Sequence, residues 1–295
     1  MKSVGWPVSG RHHSKTADVP RSAQGTLGNS ALPGSSGAAI AFDGLCHRFV
    51  TAEDETPVLE DISLSVAPGE LLAIVGPSGC GKTTLLNLLA GLEEPQQGSV
   101  TLFGAPPQTG SGEVGYLFAR DSLLPWRTAL ENVCVGMQLR GVRRDQREER
   151  ARSLLKAVGL GGFEGAYRAQ LSQGMRQRVA LARTLALEPR LLLMDEPFSA
   201  LDAQTRLQVQ ETFLSLWERV GATVILITHD LSEAVALADR VVIMTRRPGR
   251  VKAVFSIKLA RPRDLRELQS DSTYLEHYAA IWGELKSEFS TPDFG

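Results

Sequence analysis

The chain has 295 residues, is 43% hydrophobic, and balances 32 Lys and Arg against 33 Asp and Glu for a net charge of −1. That length holds one large domain or two with ample material for a core, and the even charge gives no electrostatic ground for a nucleic-acid partner. Three scattered cysteines (Cys46, Cys80, Cys134) without C-x-x-C spacing argue for neither a disulfide framework nor a zinc site, and no apolar run approaches the length of a membrane span.

Residues 1–38 are rich in Ser, Gly, Pro and basic residues without a hydrophobic period, and read as a disordered tail lacking a signal-peptide core. Alternating runs over 39–42, 45–49 and 62–66 predict strands, the second ending at Phe49 ahead of a polar turn. Leu71-Leu72-Ala73-Ile74-Val75 is continuously apolar, the pattern of a buried parallel strand. It runs into Gly76-Pro77-Ser78-Gly79-Cys80-Gly81-Lys82-Thr83, which fits G-x-x-x-x-G-K-[ST]. Leucines 85, 86, 88 and 89 then predict a helix that stops at Gly91. Strand, glycine loop and helix aim backbone N–H groups and a helix N-terminus at an anion. Lys82 is expected to reach the β- and γ-phosphates, and the Thr83 hydroxyl to ligate Mg²⁺. The stretch reads as a nucleoside triphosphate site.

Runs over 99–103 and 114–118 predict two more strands, and 123–187 is mostly helical in pattern. Apolar residues 191–194 then end in Asp195-Glu196, two carboxylates at the C-terminal edge of a buried strand, where open α/β sheets bind ligands. Asp195 is the expected partner of Mg²⁺, and Glu196 is placed to orient or deprotonate an attacking water. A helix over 204–220, a strand over 223–228 ending at His229-Asp230, and a strand over 240–245 follow. His229 falls at the same sheet edge, where it contacts phosphate or caps the strand. A last strand is expected over 251–259. In the final helix, Tyr274, Tyr278, Ile281, Trp282, Leu285 and Phe289 share one face, set against the chain's own domain or a partner subunit.

In this order the motifs resemble the ATP-binding subunit of ABC transporters over about residues 39–262. Leu171-Ser172-Gln173-Gly174-Met175-Arg176-Gln177-Arg178 is similar to the family signature, with Gln173 in place of a more usual Gly. Pro197-Phe198-Ser199-Ala200-Leu201-Asp202 is similar to the D-loop region, and His229 to the switch histidine. The resemblance implies an α/β fold, a P-loop NTPase core of the ABC ATPase type with an antiparallel β subdomain and an inserted helical subdomain. It implies an ATPase domain over 39–245, the helical part at about 120–187, and a C-terminal extension over 246–295.

The resemblance also assigns roles. ATP is held by Phe49, stacked on adenine, by Gly76, Pro77, Ser78, Gly79, Cys80, Gly81, Lys82, Thr83 and Thr84, and by Ser172, Gln173, Gly174 and Asp202. Mg²⁺ falls to Thr83 and Asp195, and catalysis to Glu196, His229 and Lys82. Ser172 and Gly174 would contact the γ-phosphate held by a second ATP-binding subunit, so that two copies sandwich two ATP molecules. Leu123-Leu124-Pro125-Trp126-Arg127-Thr128, followed by Glu131-Asn132-Val133, is similar to subunits that import nitrate, sulfonates, taurine and related solutes. That implies a membrane permease contacted near Leu124, Pro125 and Trp126, an extracytoplasmic solute-binding protein, and a place at the cytoplasmic face of the inner membrane. One departure stands out: Ala119 occupies the position of a family Gln that reaches Mg²⁺. Either a water or the nearby Asp121, two residues on, takes its place, or coupling to the permease is altered; the plain alternative for Asp121 is a solvated loop acid.

Overall fold

The computed structural model describes residues 37–50 and 55–288. The tail expected over 1–38 falls outside them up to residue 36, as do residues 51–54 of the polar turn and Phe289.

Among the described residues, nine strands form two sheets. β1 (Ile40–Val50), β2 (Glu55–Val66) and β4 (Gln97–Leu102) make an antiparallel sheet in the order β2-β1-β4. β1 is one continuous strand with register irregularities, where the sequence pattern suggested two short ones. The second sheet runs β5 (Val114–Phe118), β6 (Leu191–Asp195), β7 (Thr223–Ile227), β3 (Leu71–Val75), β8 (Arg240–Met244) and β9 (Val251–Ser256). It is parallel apart from β9, which pairs antiparallel at the edge and ends before the expected 259.

The continuous apolar runs arise because both faces of the parallel sheet are covered. Leu71, Ala73, Leu192, Met194, Val224 and Leu226 join one core, while Leu72, Ile74, Leu191, Leu193, Ile225 and Ile227 join the other. The second core is closed by the antiparallel sheet and by α1 (Lys82–Leu89). The first is closed by α2 (Ala129–Leu139), α3 (Arg144–Ala157), α4 (Gln173–Leu185), α5 (Ala203–Val220), α6 (Leu231–Leu237) and α7 (Ser272–Leu285). In α7, Tyr274, Ile281 and Leu285 are buried in this core, but Trp282 is exposed, so the expected single apolar face splits.

Parallel register decides what meets at the sheet edge. Phe118 pairs with Asp195, Asp195 with Ile227, and Ile74 with Ile227. The segments leaving β3, β5, β6 and β7 therefore emerge side by side at the C-terminal edge. Among the described residues no helix is long and apolar enough to cross a membrane.

Candidate functional site

The loop from Gly76 to Gly81 leaves β3 and turns into α1. Gly81 has φ 97°, and a Cβ there would stand 2.6 Å from Leu59 Cδ2, so both conformation and space require glycine. No side chain caps the start of α1, which leaves its first N–H groups for an anion. Lys82 is only 7% exposed, and its Nζ donates to the carbonyls of Gly76 and Pro77, each at 2.8 Å. Beside it, burial pushes the Cys80 thiol up, against the lowering pull of Lys82. A cavity of about 380 Å³ is lined by Phe49, Ser78, Gly79, Gly81, Lys82, Thr83, Thr84 and Glu196, with Val58, Ile227 and Arg247. Gly76, Pro77 and Cys80 do not line it. Phe49 is exposed at the end of β1, its ring edge-on to His47 at 5.5 Å, so it is not a core aromatic.

At the neighbouring strand end, the Thr83 hydroxyl donates to Asp195 Oδ2 at 3.1 Å. Burial raises the Asp195 carboxyl, as does Glu196, while Thr83 and Lys82 oppose them. Glu196 has φ 47°, in the left-handed region that costs a non-glycine residue about 1–2 kcal/mol. Its N–H donates to Ile227 O at 2.9 Å, and its Oε2 stands 3.2 Å from His229 Nδ1. A hydroxyl and a carboxylate in contact form a hard-oxygen pair that fits Mg²⁺. Among the described residues there is no group of three or more His, Cys, Asp or Glu placed to hold a metal ion.

Ser172 caps α4, accepting from Met175 N–H at 3.3 Å, and Asp202 caps α5, accepting from Thr205 N–H at 3.0 Å. The two helix starts abut: a Cβ on buried Gly174 would fall 2.2 Å from Thr205 Cγ2. None of Ser172, Gln173, Gly174 and Asp202 lines the cavity at the chain's own phosphate loop.

Residues 59–199 match the family model described as ABC transporter. An uncharacterized ABC transporter ATP-binding protein of Methanocaldococcus jannaschii is 48% identical over 249 residues, covering 84% of this chain and 92% of that protein. The taurine import ATP-binding protein TauB of Pseudomonas entomophila is 50% identical over 225 residues, covering 75% of this chain and 87% of its own. The chain belongs to the ABC transporter ATP-binding family. Among solved structures, the dimeric post-hydrolysis state of the ATP-binding cassette MJ0796 bound to ADP and Pi has a TM-score of 0.65 at 30% identity. It covers 75% of this chain and all of that one. The chain is thus an ATP-binding cassette with ATPase activity.

Four residues of this cassette bear on its own chemistry. Ala119 lines a second cavity, about 440 Å³, with Thr83, Phe118, Arg120, Ser122, Asp195 and Glu196. An alanine side chain has no donor or acceptor to offer there. Asp121 does not line that cavity and is not a solvated loop acid either. It is buried, with Oδ1 accepting from Arg168 Nε at 2.9 Å and Oδ2 from Arg176 Nε at 3.0 Å. Both oxygens are committed, so the expectation that Asp121 replaces the glutamine ligand is withdrawn. Two residues escaped the sequence reading. Buried Gln177 on α4 donates to Phe118 O at 3.1 Å and Pro197 O at 2.7 Å, tying the helical segment to both strand ends. Arg247 lines the phosphate-loop cavity and donates to Pro57 O at 3.1 Å. Position within the signature run was the available signal for Gln177, and the Arg247-Pro248-Gly249-Arg250 run, which also agrees with the importer subunits, was the signal for Arg247.

Proposed function

We propose that this cassette powers import of a small sulfonate such as taurine, or a similar anionic or zwitterionic solute, from the cytoplasmic face of the membrane. The observation that carries it is the row Thr83–Asp195–Glu196–His229 beside Lys82, joined to signature residues that do not line the cavity at the chain's own phosphate loop. A second copy therefore completes each site. Ser172 and Gly174, at the positive end of α4, meet the γ-phosphate held by the partner copy's phosphate loop, with Gln173 and Asp202 alongside.

Within one copy, Phe49 stacks on the adenine, and the loop N–H groups of residues 76–84 wrap the phosphates. Lys82 moves from the carbonyls of Gly76 and Pro77 onto the β- and γ-phosphates. Thr83 and Asp195 would hold Mg²⁺, which when bound would neutralise developing charge on the phosphate oxygens. Glu196 orients the attacking water and accepts its proton, and His229, in contact with Glu196, fixes the γ-phosphate side. At the Ala119 position the chain offers no side-chain donor or acceptor, so a water would stand there.

Curated relatives named for taurine import support the solute class, as does the Leu-Leu-Pro-Trp segment over 123–126. That segment meets a cytoplasmic helix of a membrane permease, while the permease and an extracytoplasmic binding protein carry the solute. The test has two arms. Purified protein should hydrolyse ATP with Mg²⁺, and Lys82→Ala should lower turnover by about a hundredfold. Host cells lacking the gene should lose uptake of labelled taurine. Parental turnover in Lys82→Ala sinks the site reading, and unchanged taurine uptake sinks the solute.

A further inference from the structure

The segment ending in His229 follows β7 and the segment ending in Asp202 follows β6, and one side chain joins them. Arg206, one turn into α5, donates from Nη1 to Asp230 Oδ2 at 3.0 Å and from Nη2 to Leu201 O at 3.1 Å. Asp230 directly follows His229 in the chain, and its other carboxylate oxygen caps α6 by accepting from the N–H groups of Ser232 and Glu233. One turn further along α5, Gln210 donates to Glu233 Oε1 at 2.7 Å. Positions 206 and 210 on one helix thus face 230 and 233 at the start of the other, a two-rung ladder. The Arg206–Asp230 pair is 31% and 29% exposed, so water only partly screens it. Arg206 lines neither cavity beside the phosphate loop and touches no reacting atom.

We propose that Arg206 is a positioning residue for hydrolysis, locking the His229 segment to the Asp202 segment so that the two move together when a second copy closes. The proposal rests on the ATPase reading above. His229 stands 3.2 Å from Glu196 within one copy, while Asp202 belongs to the surface offered to the other. A link between them makes the chain's own γ-phosphate contact depend on the state of the partner-facing loop. Arginine suits the task because its rigid planar fork presents separate nitrogens to the two acceptors, whereas a lysine offers a single point charge on a flexible stem.

The test compares Arg206→Ala and Arg206→Lys with the parent in full-length protein. Arg206→Ala should lower kcat about tenfold, with affinity for a fluorescent ATP analogue changed by less than about twofold. Arg206→Lys, which keeps the Asp230 pair and loses the Leu201 bond, should recover part of that loss. Amide hydrogen exchange should accelerate in Arg206→Ala at residues 199–202 and 228–230 together, leaving 76–83 unchanged. Parental kcat in Arg206→Ala overturns the proposal. So does faster exchange in only one of the two segments. A parallel loss of nucleotide affinity and phosphate-loop protection overturns it too, since that is general loosening. Failure of the ATPase reading shows differently: the parent turns over no ATP, while paired exchange changes still support the link.

Discussion

Glu233 is 5% exposed, and burial pushes its carboxyl up to about 7 from 4.5, with Asp230 adding to the rise and Thr228, Gln210 and Arg206 opposing it. The folded chain therefore holds a proton that the unfolded chain releases. The resulting stability is complete below about pH 4.5 and falls as pH rises towards 7, by on the order of 3 kcal/mol. Glu233→Gln cannot titrate, so its denaturation midpoint should lose that decline between about pH 4.5 and pH 7. Equal pH dependence in parent and variant would show that Glu233 is ionised throughout. Asp121 shows the opposite balance. Burial works to raise its carboxyl, but Arg168, the Leu123 N–H and Arg176 together hold it below the usual range. Sequence placed Asp121 on the same side as Ala119 by extending a period of two beyond the strand. β5 ends at Phe118 and Ser122 has φ 46°, so that period no longer applies. The two arginines come from 47 and 55 residues away, and no local pattern announces them.

At the scale of elements, the segment Leu123–Thr128 is shaped from within. Asn132, buried on α2, accepts from Leu124 N–H at 2.8 Å and donates to the carbonyls of Leu124, Arg127 and Thr128. Thr128 and Glu131 form a capping box that starts α2 in place. The result is a fixed loop that presents Trp126 at 70% exposure rather than tucking it into the helical segment. A rigid, exposed Trp is a strong anchor for a partner helix. Trp126→Ala should weaken association with the permease by about 2 kcal/mol, about thirtyfold in affinity, and leave ATPase of the isolated cassette at the parental level. Loss of both together would place Trp126 among the groups that hold the fold. Amphipathic spacing made α7 legible, because Tyr274, Ile281 and Leu285 needed cover. It could not separate Trp282, which lies beside Ile281 on the rim of that face and stays exposed.

Across the whole molecule, the chemistry was legible because the motifs sit at strand ends. An apolar run closing on a glycine loop, and another closing on two carboxylates, fix the edge at which each group emerges. The order β5-β6-β7-β3-β8-β9 was not legible, since five buried strands of similar composition can pair in many ways. Nor could local pattern assign Gln177, whose two acceptors lie 59 and 20 residues away. On the proposed reading a second copy completes the site: Lys82, Thr83, Asp195, Glu196 and His229 lie together, whereas Ser172 and Gly174 do not line the phosphate-loop cavity. Glu196→Gln keeps the size of the side chain but cannot accept the water's proton, so hydrolysis should fall by about a hundredfold or more while ATP still binds. Closure then has no exit. Light scattering of Glu196→Gln with ATP and Mg²⁺ should report a dimer that reverts to monomer with ADP. A particle that stays monomeric in saturating ATP would contradict the shared site.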